Sequence, residues 1–312
     1  MKVSLIIPLR DEAASVVPLL ESIAGQSRRP DEVVVVDAGS TDGTRALVTT
    51  FGGPLPIRLV PAGKLFPGLA RNAGAELAAH DWFAFTDGGV RLAPRWLEEL
   101  VTSAESEVAD AVFGSFDPIC DTLFQKCAAV AYVPGPGAQG IRGPSVTSMV
   151  LKREAFERAG RFPPFRASED LIFIERLLAL PLHVAYAPRA VVYWELASDA
   201  GRTFRRFALY SEHNLRAGRG RYWHRGVLRH YVLMTFFAAG LFVVGAGPWG
   251  LAVYPFWQVA RAGRSAWQKR KAFEFRAFAP SVILGAAALL CLIDAATLAG
   301  TIAWLKRRGA PA

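Results

Sequence analysis

Only three cysteines, Cys120, Cys127 and Cys291, occur among the 312 residues. They are too few and too scattered for a disulfide framework, and no CxxC pair or Cys/His cluster offers a zinc site. A reducing compartment suits such a chain. No GxGxxG follows the first apolar run, which sets aside a dehydrogenase-type dinucleotide site. PLRDEAAS, where a sugar nucleotidyltransferase would carry a glycine-rich phosphate loop, contains no glycine. His183, His213, His224 and His230 show no ligand spacing, and the sequence holds no internal repeat or low-complexity tract. The opening MKVSLIIP is too short an apolar stretch for a signal-peptide core with a cleavage site, so it reads as a first strand.

Charge and apolarity are unevenly spread. The net charge is +9 and the mean hydropathy +0.24, high for a purely soluble enzyme. The apolar excess sits from about Tyr231 onward, and no charged residue occurs from Tyr231 to Ala260. Basic residues crowd 202–229 and 261–276, flanking apolar segments where anionic headgroups would meet them, so a membrane is the expected partner rather than nucleic acid. The basic segment 202–230 reads as an amphipathic linker on the membrane, with Phe204, Phe207, Leu209, Tyr222 and Trp223 on its apolar side. A membrane-associated helical region is expected over 231–305, with a basic tail at 306–312. The first apolar segment is broken by PWG at Pro248, and the second, Phe278 to Leu305, contains Asp294, which is costly at a bilayer centre. A single first span would put Lys269, Arg270 and Lys271 outside, against the positive-inside rule; a hairpin broken at Pro248 would return them to the cytoplasm. Both topologies stay open.

The first part of the chain has a different rhythm. Apolar runs at Val3–Pro8, Glu32–Asp37, Pro56–Val60 and Trp82–Thr86 alternate with amphipathic stretches such as Ala13–Ala24 and Leu69–Ala79. This βαβα order predicts an α/β fold with a mainly parallel central sheet, whose ligands bind at the carboxyl ends of the strands. Asp37 stands at such an end. Its carboxylate there accepts hydrogen bonds from a ligand or caps a turn, with Ser40 or Thr41 capping a helix that begins near Asp42. Beyond Asp87 come a helix over Pro94–Ser103, a strand-like ADAVFGSF, and helices near Arg153 and Glu169. The Gly/Pro-rich stretch Pro134–Pro144 reads as a surface loop, or alternatively as a lid. Trp82 and Trp96 are expected in the core, and Lys64 and Arg142 as solvated loop cations.

Taken together and in order, VSLIIPLRDE, DAGSTDGT, GLARNAGAELAAHDWFAFTDGG and ASEDLIFIERLL resemble the family 2 glycosyltransferases, over residues 1 to roughly 225. The resemblance implies a GT-A (Rossmann-like) domain over 1–225, with a donor half at about 1–90 and an acceptor half at about 91–200. It also implies a UDP-, GDP- or dTDP-sugar as donor, a hydroxyl acceptor and inversion at the anomeric carbon. Carried over residue by residue, it gives Pro8, Glu12, Asp37, Arg71, Asn72 and Asp87 as donor-binding positions, Asp87 as the ligand of a Mn²⁺ or Mg²⁺ ion, and Asp170 as the catalytic base. The third residue of the family's DxD motif is here Gly89, so Asp87 alone holds the metal, or the site is a degenerate nucleotide-sugar-binding scaffold. With the membrane segments, the acceptor is expected to be a polyprenyl-linked or cell-envelope glycan. The catalytic domain is expected on the cytoplasmic side of the inner membrane.

Overall fold

In a computed structural model, residues 1–307 are described; residues 308–312, most of the expected basic tail, and the side chains of Tyr222 and Ala246 lie outside the described part. The chain divides into two compact units, Met1–Ile119 with Pro136–Glu195, and Cys120–Gly135 with Leu196–Ala312.

In the first unit the apolar runs pair into one sheet. The elements are β1 (Val3–Leu9), α1 (Val16–Ala24), β2 (Glu32–Asp37), α2 (Thr44–Thr49), β3 (Ile57–Pro61), α3 (Pro67–Leu77), β4 (Trp82–Phe85), β5 (Val90–Leu92), α4 (Trp96–Ser106) and β6 (Ala111–Ile119). After α5 (Leu123–Tyr132), which belongs to the second unit, follow β7 (Met149–Lys152), α6 (Arg153–Arg158), α7 (Glu169–Leu178) and β8 (Val184–Glu195). The sheet order is β3-β2-β1-β4-β7-β6-β8-β5. The first four of these strands run parallel, β7 is antiparallel to both β4 and β6, β8 is parallel to β6, and β5 closes the far edge antiparallel to β8.

Why the strands are apolar throughout follows from their two covered faces. Val33 and Val35 join Leu5, Ile7, Leu19, Trp96 and Leu100 on one side. Val34 and Val36 join Ile6, Ala70, Phe156 and Phe173 on the other. Trp96 donates its indole N–H to Ser148 Oγ at 2.8 Å, which satisfies the one polar atom of a fully buried ring. Pairing of β1 with β4 stops at Ile6, so the missing N–H of Pro8 falls where one flank of β1 has already opened. The polar ends of β1, β2 and β4 thus emerge together.

The second unit is helical: α5, α8 (Ala200–Arg216), α9 (Gly220–Leu241), α10 (Val253–Gln268) and α11 (Pro280–Lys306). Residues Phe242–Ala252 make a tight π and 3₁₀ connection between α9 and α10. The helices α9, extended over Trp223–Gly245, and α11 are long and apolar enough to cross a membrane by length and composition. α8, the first part of the segment expected as a linker, packs along α11. A Cβ on Gly300 of α11 would run into the Ala208 carbonyl, and Ser211 Oγ donates to Thr297 O at 2.7 Å. Phe207 of α8 stacks edge-on with Tyr132 and Trp223.

Candidate functional site

Two loops at the carboxyl ends of β1 and β2 are laced together by short polar side chains. Asp11 Oδ1 accepts from the Thr41 N–H at 2.8 Å, Ser40 Oγ accepts from the Asp11 N–H at 3.0 Å, and Thr44 Oγ1 accepts from the Glu12 N–H at 2.8 Å. The helix expected near Asp42 starts at Thr44, with Gly43 (φ +95°) before it and no side-chain cap. The hydroxyls of Ser40 and Thr41 are turned instead to the β1 loop, which Asp11 enters at φ +54°.

Asp37, 1% exposed, ends β2 beneath these loops. The Ser40 N–H donates to its Oδ1 at 3.1 Å, and Arg45 donates to Oδ2 through Nε at 3.0 Å and Nη2 at 2.5 Å. Burial pushes the Asp37 carboxyl up, but the hydrogen bonds from Ser40 and Arg45 outweigh it and hold it below the usual range.

Arg71 is the centre of the deeper cluster. It rises from the first turns of α3, which Pro67 starts with a φ already suited to a helix. Its guanidinium is 3% exposed, hydrogen-bonds Asp87 Oδ1 through Nη2, and lies 3.5 Å from Glu169 Oε1 through Nη1. Its third nitrogen, Nε, is buried with no hydrogen-bond partner among the described residues. The ring of Phe162 lies against it, 5.2 Å from centroid to guanidinium carbon. The neighbouring Asn72 spends both ends of its amide on Phe162, donating to its carbonyl at 2.9 Å and accepting from its N–H at 3.0 Å. Asn72 therefore holds the stacking partner of Arg71.

Glu169 and Asp170 open α7, after Ser168 in a left-handed conformation (φ +72°). Burial pushes Glu169 up to about 7, Arg71 opposing and Asp170 adding to the rise. Burial likewise pushes the Asp170 carboxyl up, against the Leu171 N–H that donates to its Oδ1 at 2.8 Å and against Arg71. Three acidic groups thus surround one guanidinium, Asp87 and Glu169 in contact with it and Asp170 acting through charge alone. Glu169, legible in the sequence only as the neighbour of Asp170 in an acidic pair, is the member that lies against Arg71.

Glu12, from the β1 loop, lies against the Gly88–Gly89 turn that follows Asp87. A Cβ on Gly88 would sit 2.8 Å from Glu12 Cδ, and one on Gly89 3.6 Å from its Oε2. Gly89 itself is left-handed, φ +72°. Among the described residues no three His, Cys, Asp or Glu side chains gather around a point that could hold a metal. Asp87, whose Oδ1 is hydrogen-bonded to Arg71, and Glu12 beside its turn would fit a cation completed by water and phosphate oxygens, and would not fit one held in an all-protein cage. Lys64 is exposed; Arg142, expected as a solvated loop cation, is 6% exposed and paired with Asp117 at 2.7 Å.

Residues 4–153 match the family model Glycosyl transferase family 2. This domain belongs to that family. The matched stretch of the family 2 domain contains Pro8, Glu12, Asp37, Arg71, Asn72 and Asp87 and ends before Glu169. Validoxylamine A glucosyltransferase of Streptomyces hygroscopicus subsp. limoneus is 35% identical over 37% of this chain and 27% of its own. Glycosyltransferase AglE of Haloferax volcanii is 30% identical over 50% of this chain and 48% of its own. The chain spans about a quarter to a half of the length of these curated relatives. Among solved structures, S. aureus TarS 1-349 in complex with UDP-GlcNAc matches 93% of this chain and 90% of its own at TM-score 0.51 and 15% identity. The likeness shows the fold, an α/β GT-A architecture.

Proposed function

We propose that the chain is an inverting glycosyltransferase that moves a sugar from a nucleotide-diphosphate sugar to a hydroxyl of a lipid-linked or cell-envelope glycan, with its family 2 domain on the cytoplasmic side of the inner membrane. The observation that carries this reading is the buried Arg71, which joins Asp87 at the end of β4 to Glu169 at the start of α7. Family membership supports the reaction class, and a nucleotide-sugar donor is supported by the S. aureus TarS structures, which hold UDP-GlcNAc and UDP.

In this reading Pro8, Glu12 and Asp37 border the nucleotide at the open ends of β1 and β2. Asp37, held ionised by Ser40 and Arg45, keeps acceptor capacity for a ribose or base, since a carboxylate offers about four lone-pair directions. The unpartnered Nε of Arg71 is a donor waiting for an anion's oxygen. Asp87 and Glu12 would hold a Mg²⁺ or Mn²⁺ ion, which when bound offsets the charge that grows on the diphosphate. Asp170 takes the proton of the acceptor hydroxyl as its oxygen bonds to the anomeric carbon. The bond from that carbon to the diphosphate breaks, and its electron pair leaves with the diphosphate. A carboxyl raised by burial is the better base for this step, because its basicity lies closer to neutral.

The test is transfer by the purified full chain from UDP-, GDP- and dTDP-sugars, with and without Mn²⁺, beside Asp87→Ala and Asp170→Asn. One donor should be turned over, with losses of roughly 100-fold or more in both variants, the range for removing a positioned proton acceptor or charge partner. Donor binding without turnover in the wild type would favour the scaffold that Gly89 suggests; binding of no donor removes the reading altogether.

A further inference from the structure

Two helices of the second unit have the length and apolarity of a membrane span, but their surroundings differ. Within Pro280–Lys306 half of the most apolar window is buried in the protein, whereas within Trp223–Gly245 only 11% is. α11 is a core helix of its unit. Val282, Ala286 and Leu290 pack with Val130 of α5 and Ala262 and Ala266 of α10, and Gly300 meets the backbone of α8. α8 carries Arg202, Arg205, Arg206, Glu212 and Arg216, which could not accompany α11 through hydrocarbon without great cost. Asp294, midway along α11, is 5% exposed and satisfied inside the unit: Arg261 at 2.6 Å, Tyr231 OH at 3.0 Å and Gln258 at 3.1 Å.

Among the described residues the barest apolar surface is the α9–α10 hairpin, although α11 also exposes Leu284 and Leu298, at 61 and 62%. Phe236, Phe242, Val243, Val244, Trp249 and Phe256 are 66–83% exposed. Gly245 (φ +91°) and Gly247 (φ +55°) reverse the chain, and Gly250 returns so close to α9 that a Cβ there would lie 2.9 Å from the Ala238 carbonyl. Thr235 and Tyr254 hydroxyls bond across the two limbs at 3.0 Å. The polar ends of the limbs are level, because Arg261 Nη1 lies 3.4 Å from His230 Nε2. From that level His230 to Gly245 rises about 22 Å and Gly250 to Arg261 about 16 Å, at 1.5 Å per residue. Neither limb reaches the ~30 Å of a bilayer core.

Charge identifies what covers this tip. Between His213 and Phe273 the chain has ten Lys or Arg and no Asp or Glu, with none of the ten inside 230–260. Arg219 and Lys269 are buried and Arg216 and Arg261 pair with Glu212 and Asp294, which leaves Arg221, Arg225, Arg229, Arg264, Arg270 and Lys271 exposed. Basic residues at the foot and bare apolar residues at the tip match an anionic headgroup layer above hydrocarbon.

We infer that the α9–α10 hairpin is a monotopic anchor that enters one leaflet of an anionic bilayer by its Phe242–Trp249 tip and returns to the side it came from, while α11 stays within the protein. The inference rests on the membrane part of the reading above and not on its chemistry, since lipid binding is measured without any donor. The full chain is floated with vesicles of phosphatidylcholine alone or mixed with phosphatidylglycerol. Wild type should float with the mixed vesicles, and Val243→Asp/Val244→Asp should lose at least tenfold of that recovery with an unchanged thermal melt. Leu298→Asp, on the exposed side of α11, should float within about twofold of wild type. In membranes of intact cells, Val244→Cys should take up no more membrane-impermeant maleimide from the outer face than the wild-type chain does. Labelling of Val244→Cys from outside, loss of flotation by Leu298→Asp alone, or a wild type that self-associates through the hairpin without floating, would each overturn the anchor.

Discussion

Arg71 is a single cation among three acids, and the imbalance has a measurable signature. Glu169 is 6% exposed, with its folded value raised to about 7 from an ordinary 4.5, so its protonated form is the one the fold favours. Its contribution to stability is fully present below the ordinary value and is lost as pH rises from about 4.5 through about 7. In EDTA, wild type should therefore lose on the order of a few kcal/mol relative to Glu169→Gln between pH 5 and pH 8, read as a falling difference in melting temperature. A flat difference across that range would mean that Glu169 is not charged against its surroundings. In the sequence Asp37 and Asp87 stand out because each ends an apolar run, where a buried strand hands its chain to a ligand edge. Glu169 does not stand out: what makes it special is Arg71, 98 positions earlier. Asn72 is legible as part of a motif, but its amide turns to the backbone of Phe162, 90 positions away, a contact that no local spacing encodes. Asp11 likewise draws Ser40 and Thr41 away from the helix they were expected to cap.

At the scale of elements, the site depends on two helix N-termini meeting. α3 approaches α7 over Gly68, where a Cβ would lie 2.8 Å from Glu169 Cγ and 2.9 Å from Phe162 Cβ. Glu169 has a flexible stem that gives way, but Phe162 is locked against Phe173 at 4.3 Å and Phe85 at 5.5 Å. Gly68→Ala should cost about 1–3 kcal/mol by overpacking, although alanine is the better helix former. Transfer activity should fall further than stability explains, since the shift moves both groups that hold Arg71. Activity equal to wild type at a wild-type melting temperature would show that the helices have slack. The parallel strands β1 to β4 are readable in the sequence because each is a continuous apolar run with turn residues behind it. The antiparallel half is not. β5 and β7 are three and four residues long, and β8 carries Pro188 and Arg189 inside it. The sheet accommodates them by a bulge: Gly114 pairs with Ala187 and the next residue, Ser115, with Val191. A proline within an apolar run normally argues against a strand, and only its place within the bulge of β8 makes it tolerable.

At the scale of the whole molecule, the chain crosses between its two units three times, at residues 119/120, 135/136 and 195/196. The basic amphipathic character of 202–230 reads in sequence as a linker, so a catalytic piece ending near 225 looks separable. The structure gives α5 and α8 the same partner, α11. Cys127, 4% exposed, faces Gly285 and reaches the Ser281 carbonyl at 3.8 Å, and burial pushes its thiol up. Lys269 and Ser265 close the carboxyl end of α5, both reaching the Val130 carbonyl, at 2.7 and 2.6 Å. A fragment of residues 1–225 should therefore show rapid alkylation of Cys127, identified by mass spectrometry, and should aggregate; in the full chain Cys127 should stay unmodified. A soluble fragment with an unreactive Cys127 would mean that α5 finds cover without α11.

The same interleaving sets a clock on the ribosome. Cys127 and Ser281 are separated by 154 positions, so at about 5–20 residues per second α5 waits on the order of 10–30 s for the helix that will cover it. The last strand ends at Glu195, so α5 still lacks its cover when every strand of the sheet has been made. The order of synthesis thus favours a holdase, or early contact with a membrane, before α11 is made.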